Sequence, residues 1–195
     1  GKRAHALGHP IVIDPVGVSG SSYRREKCLE LMKIIHPTCI RGNYSEIQAL
    51  LHNCGTVTGV DAAEDALAEA EETDLPELMK QYAKENQMIL VASGEADLIT
   101  DGSCVYRCHN GSPMMARITG SGCMSTVMLG AFLSAENSVE SAVACCAFTG
   151  IAGELAAKET TAQKRGTMTF RNWFIDAVSL MTPEQLEHGT NVDWF

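Results

Sequence analysis

Positive charge is scarce in this sequence: 15 Lys and Arg stand against 24 Asp and Glu, a formal net charge of −9. That balance excludes a general surface for nucleic acid or an anionic membrane, while a local basic patch for phosphate stays open. No apolar run reads as long enough to span a bilayer, and no segment has the pattern of a secretory signal. Neither nucleic acid nor membrane is therefore expected as a partner. Internal repeats, low-complexity tracts and domain linkers are also lacking. The eight cysteines lack the tight spacing of a small secreted scaffold, so reduced thiols in a cytoplasmic protein are expected. What is present is ordinary for a globular protein: 45% hydrophobic and 20% charged residues. A chain of 195 residues can bury a core as one domain, 1–195.

The elements alternate. Ile11-Val12-Ile13 and Thr38-Cys39-Ile40 read as short buried strands, and Met88 to Ala92 as a third. Between them, a helical pattern runs from Tyr23 to Ile35 and stops at His36-Pro37. Ser45 reads as the N-cap of a helix through Leu51. Ala62 to Glu72 reads as an Ala/Glu-rich helix, and Asp74 with Glu77 as the capped start of another, through Asn86. Cys104 to Cys108 and Met114 to Ile118 flank Asn110-Gly111, a hairpin signal. Helices follow from Gly122 to Ala135, Ser138 to Lys158 and Phe170 to Leu180, with a last short one opened by Thr182-Pro183-Glu184. The pattern predicts an α/β fold: a largely parallel sheet with helices on both faces.

In such sheets a ligand lies beyond the carboxyl ends of the strands. Four strand ends carry polar, glycine-rich signals: Asp14 to Gly17, Arg41 to Glu46, Ser93 to Asp97, and Thr119 to Cys123. The last opens a helix behind Gly120-Ser121-Gly122-Cys123. Its glycines allow a tight turn, and a helix start favours an anion. No Lys-Ser/Thr pair follows, so it is not a P-loop, and Ser125 replaces the third glycine of a dinucleotide fingerprint. On pattern alone, a structural turn with a buried cysteine and a phosphoryl-transfer loop are equally open. Asp14 serves a simple turn or a hydrated Mg²⁺. Arg41 serves a surface ion pair or a phosphate. Glu46 reads as a first-turn helix residue, and Ser93 as part of a loop. Cys104, Cys108 and His109 read as strand positions, since no second Cys/His pair completes a metal site. Cys145-Cys146 and Met114, Met115, Met124 and Met128 read as core.

Taken in order, these stretches resemble the hydroxyethylthiazole kinases, a ribokinase-like family of thiamine salvage. The resemblance rests on Gly8 to Val18, Arg41-Gly42-Asn43-Tyr44-Ser45-Glu46-Ile47, Gly59-Val60-Asp61, Ser93-Gly94-Glu95-Ala96-Asp97, Thr119 to Cys123, and Arg165-Gly166-Thr167 through Phe174. It implies MgATP-dependent phosphorylation of the alcohol of 4-methyl-5-(2-hydroxyethyl)thiazole. It also implies roles. Cys123 is the catalytic residue, and Gly120, Ser121 and Gly122 with Cys123 form an anion hole. Gly120 contacts substrate, Arg41 and Ser93 contact ATP, and Asp14 and Glu46 serve the Mg²⁺ region. The sequence departs from the family where Ser121 and Ser93 stand in place of threonines; each keeps a hydroxyl.

The resemblance further implies a homotrimer with sites between subunits. Because the chain opens on the end of a helix and runs at once into a core strand, a preceding segment is expected, supplying sheet strands and part of the thiazole pocket. Two alternatives stand beside the thiazole kinase. One is a kinase for hydroxymethylpyrimidine or its phosphate, against which Arg41-Gly42-Asn43 argues. The other is a nucleotide- or thiazole-binding protein without turnover, against which the complete loop chemistry argues.

Overall fold

The computed structural model describes residues 1–52 and 75–195. The helix expected over Ala62 to Glu72, the Gly59-Val60-Asp61 stretch and the Asp74 cap lie outside the described residues. Among the described residues, six strands form a sheet in the order β1-β2-β3-β4-β5-β6. They are β1 Val12–Ile13, β2 Cys39–Asn43, β3 Ile89–Ser93, β4 Asp97–Thr100, β5 Val105–Cys108 and β6 Val192–Trp194. The helices described are α1 Lys2–Ala6, α2 Ser22–Ile35, α3 Tyr44–Leu51, α4 Leu75–Asn86, α5 Ser121–Ala135, α6 Val139–Ala162, α7 Thr167–Leu180 and α8 Pro183–Gly189.

The α/β reading holds, and the sheet is mixed. β1 pairs in parallel with β2, Val12 beside Cys39 and Ile13 beside Ile40, with α2 as the crossover. The links 94–96 and 101–104 are too short for a parallel crossover, so the strands they join run antiparallel. β5 and β6 are also antiparallel, with Arg107 opposite Asp193. The expected hairpin across Asn110-Gly111 does not form. Met115–Arg117 is a short 3₁₀ turn rather than a strand, and β5 takes β6 as its partner. The Asn110 side chain explains this: its Nδ2 donates to Gly189 O at 2.9 Å and its Oδ1 accepts from Asn191 N–H at 2.8 Å. It fastens the chain end to β5 instead of closing a turn.

The chain divides into two compact units, 1–92 with 100–105 and 93–99 with 106–195. In the first unit, Ile13, Ile40, Ile47, Leu50, Leu90 and Val91 are buried. α2 stops as its sequence predicts, with His36 at φ 47° in the left-handed region before Pro37. α3 starts one residue earlier than its expected cap. Asn43, not Ser45, is the N-cap, and Asn43 and Glu46 form a reciprocal capping box.

In the second unit, Ile118, Ala152, Ala156, Phe170 and Phe174 form a buried cluster, against which Met114, Met115, Met124 and Met128 pack. Truncating either phenylalanine to alanine would cost about 3–5 kcal/mol. The methionines are packing residues, partly buried against this cluster. α6 amends the expectation about long apolar runs: it has the length and composition to cross a membrane. However, 61% of its apolar window is buried, as in the core helix of a globular fold. The seven described cysteines are free thiols, and Cys145 and Cys146 are buried.

Candidate active site

In the first unit, Glu46 joins two of the signalled loops. Its Oε1 accepts the Gly17 N–H at 2.8 Å, and its Oε2 accepts the Asn43 N–H at 3.0 Å. The Glu46 N–H in turn donates to Asn43 Oδ1 at 2.9 Å. Glu46 as a residue is only 9% exposed, and hydrogen bonds to a charged acceptor are stronger than neutral ones. Gly42 sits where the loops meet. A Cβ there would lie 3.2 Å from both Pro15 Cγ and Glu46 Cβ. Asp14, at the end of β1, and Arg41, in β2, flank this junction in sequence. The structure thus brings Asp14 to Gly17 and Arg41 to Glu46 together around one carboxylate. Glu46 does more than interact with a helix dipole.

In the second unit, Ser93 ends β3 with its Oγ buried and without a hydrogen-bond partner among the described residues. Buried hydroxyls are nearly always paired, so an orphan one invites a ligand. The next turn is closed by Gly94 N–H donating to Asp97 Oδ1 at 3.2 Å. The glycine loop is built as its sequence implies. Gly120 has φ 95°, in the left-handed region that other residues avoid, and serves as the N-cap of α5. No side chain caps this end. The Ser121 hydroxyl points back, donating to Met115 O at 2.9 Å and Ile118 O at 3.4 Å. Cys123 follows on the first turn and is exposed, not a buried structural thiol.

Other cysteines behave differently. Burial, more than the nearby Asp97 and Glu154 charges, pushes the Cys108 thiol up to about 11. His109 Nε2 lies 2.9 Å from Asp193 Oδ2 on β6, a pairing that agrees with the structural reading of this Cys/His stretch. Among the described residues no cluster of three or more His, Cys, Asp or Glu could hold a metal ion. A hydrated Mg²⁺ needs less: one or two carboxylates plus phosphate oxygens. Asp14 and Glu46 lie on loops that Glu46 itself ties together.

One tie of this unit, through Glu154, was not legible in the sequence. Glu154 on α6 accepts the Gly111 N–H at 2.9 Å and Asn110 Nδ2 at 3.1 Å through Oε1. A signal existed in Gly150, Gly153 and Glu154, which share one helix face at i, i+3 and i+4.

Residues 1–184 match the model of the hydroxyethylthiazole kinase family. A hydroxyethylthiazole kinase of Clostridium acetobutylicum is 35% identical over 196 residues, covering 99% of this chain and 71% of that protein. One from Desulforudis audaxviator is 37% identical over 194 residues, covering 99% and 67%. Among solved structures, a hydroxyethylthiazole kinase protein of Pyrococcus horikoshii superposes with a TM-score of 0.81 at 25% identity, covering 100% of this chain and 68% of that one.

Proposed function

We propose that this chain, which belongs to the hydroxyethylthiazole kinase family, transfers the terminal phosphoryl group of ATP to the hydroxyl of 4-methyl-5-(2-hydroxyethyl)thiazole. The observation that carries the reading is the α5 start: a left-handed Gly120, no side-chain cap, and an exposed Cys123 on the first turn. Unoccupied helix starts favour anions.

The alcohol oxygen forms the new bond to the γ-phosphorus as the bond to the β,γ-bridging oxygen breaks, and ADP leaves. In a loose transition state the hydroxyl needs little deprotonation early. Cys123 therefore orients the hydroxyl, and in its thiolate form receives the proton late. The N–H groups from Gly120 to Cys123 stabilise charge on the transferring phosphoryl oxygens, and Gly120 also meets the substrate. Arg41 forks onto phosphate oxygens, and the orphan Ser93 Oγ takes an ATP group as its missing partner. Asp14 and Glu46 would hold Mg²⁺, directly or through water. When bound there, the ion neutralises phosphate charge. The reading extends to a homotrimer with sites between subunits, which rests on the resemblance, and to a cytoplasmic location, which rests on the cysteine pattern.

The test is ADP release with the thiazole alcohol and hydroxymethylpyrimidine side by side. A higher kcat/KM for the thiazole is expected. A reversed preference would move the assignment to the pyrimidine alcohol, and no turnover of either would leave only a binding protein.

A further inference from the structure

We infer that Glu154 is a positioning residue for the glycine loop, acting through the 110–115 segment. The inference rests on the reading of Gly120 to Cys123 as the phosphoryl-transfer loop. Glu154 Oε1 gathers two donors, the Gly111 N–H at 2.9 Å and Asn110 Nδ2 at 3.1 Å. On the same face of α6, Gly150 lets the Asn110 backbone lie against the helix. A Cβ at Gly150 would sit 2.5 Å from the Asn110 carbonyl carbon and oxygen. One turn on, a Cβ at Gly153 would overlap Met115 Sδ. The segment is therefore seated on α6 by two absent side chains and one carboxylate. Its far end meets the loop directly, because Met115 O accepts the Ser121 hydroxyl at 2.9 Å. Ser121 opens α5 two residues before Cys123. The hydroxyl at position 121 thus has a mechanical use: it fixes the helix start to a segment that Glu154 holds in place. A displacement of about 1 Å at a reacting group can cost about 100-fold in rate. A carboxylate away from the loop thereby controls turnover. Because Glu154 is exposed, truncating it leaves the core intact.

The experiment compares Glu154→Ala with Glu154→Gln, which keeps a carbonyl oxygen for the Gly111 N–H. Glu154→Ala should lower kcat about 10-fold or more while KM for ATP stays within about twofold, the pattern of lost transition-state geometry. Glu154→Gln should restore most of the rate. A second readout needs no turnover: alkylation of Cys123 by iodoacetamide, followed on its peptide by mass spectrometry. Glu154→Ala should change that rate about threefold or more, and Glu154→Gln should match wild type. Equal kcat and equal Cys123 alkylation in wild type and Glu154→Ala would overturn the inference. So would equal losses in the two variants, or a lower melting temperature with kcat unchanged. If wild type phosphorylates no thiazole, the functional reading fails and the alkylation comparison still decides this one.

Discussion

Gly17 and Glu46, 29 residues apart in the chain, are joined by a 2.8 Å hydrogen bond from the Gly17 N–H to Glu46 Oε1. One carboxylate thereby caps a helix and pins the loop that follows β1. Structure and proposed metal binding converge on the same oxygen atoms. Glu46→Ala should cost about 2 kcal/mol in urea unfolding, since it removes two charge-assisted bonds, one of which is half of a capping box. Glu46→Gln keeps the shape and one acceptor, and should shift the Mg²⁺ dependence of turnover to higher concentration. Superimposable Mg²⁺ titrations for wild type and Glu46→Gln would remove the metal role and leave the structural one.

Cys123→Ala should lower kcat by about 100-fold or more with ATP affinity nearly intact, as for a contact made in the transition state. Cys123→Asp should retain more activity than Ala, because a carboxylate can also receive the hydroxyl proton. Turnover of Cys123→Ala at the wild-type rate would make the thiol merely structural. Steady-state kinetics with ATP varied separates the two results.

Ser93→Ala should move stability and binding in opposite directions. Removing a buried hydroxyl that has no partner among the described residues should leave the ligand-free protein as stable or up to about 1 kcal/mol more stable. The same change should raise KM for ATP. Arg41→Lys should also raise KM for ATP and slow turnover, since an ammonium cannot reproduce a two-pronged contact. Thermal unfolding without nucleotide, followed by ATP titration, checks both. A destabilised Ser93→Ala would mean that the hydroxyl has a partner in solution.

Cys108 should titrate late. Burial raises its thiol from 9.0 to about 11, so the folded state holds its proton more tightly than the unfolded chain does. The associated stability is complete below about pH 9 and is lost as pH climbs towards 11, in total on the order of 2–3 kcal/mol. Unfolding free energies measured between pH 8 and pH 11 should fall less steeply in Cys108→Ala than in wild type. In native protein at neutral pH, iodoacetamide should modify Cys123 well before Cys108. Rapid modification of native Cys108 would contradict its burial.

Much of the glycine loop's geometry was legible because its cues are local. Gly120 marks a left-handed turn, and Cys123 falls three residues later whatever the fold does around it. The His36-Pro37 stop and the Thr182-Pro183 start needed no partner from elsewhere, and both appear where the pattern put them. Asn43 was harder: Ser45 is an equally good cap by residue type, and only the return bond from Glu46 selects Asn43. The Asn110-Gly111 signal misled for a related reason. Turn propensity sees two residues, whereas the Asn110 amide is claimed by Glu154, Gly189 and Asn191, 44 to 81 residues away.

By itself, the sequence determined the α/β class, the buried strands around Ile13, Ile40 and Leu90, and the glycine turn that opens α5. Each depends on periodicity, backbone freedom or residue chemistry within a few positions. Only the tertiary structure decided that β5 pairs with the chain end and that Glu46 binds Gly17. The same holds for the seating of the 110–115 segment on the Gly150 face of α6. These are pairings between distant residues, fixed by which polar groups can be satisfied once the chain is packed. No local propensity encodes that choice.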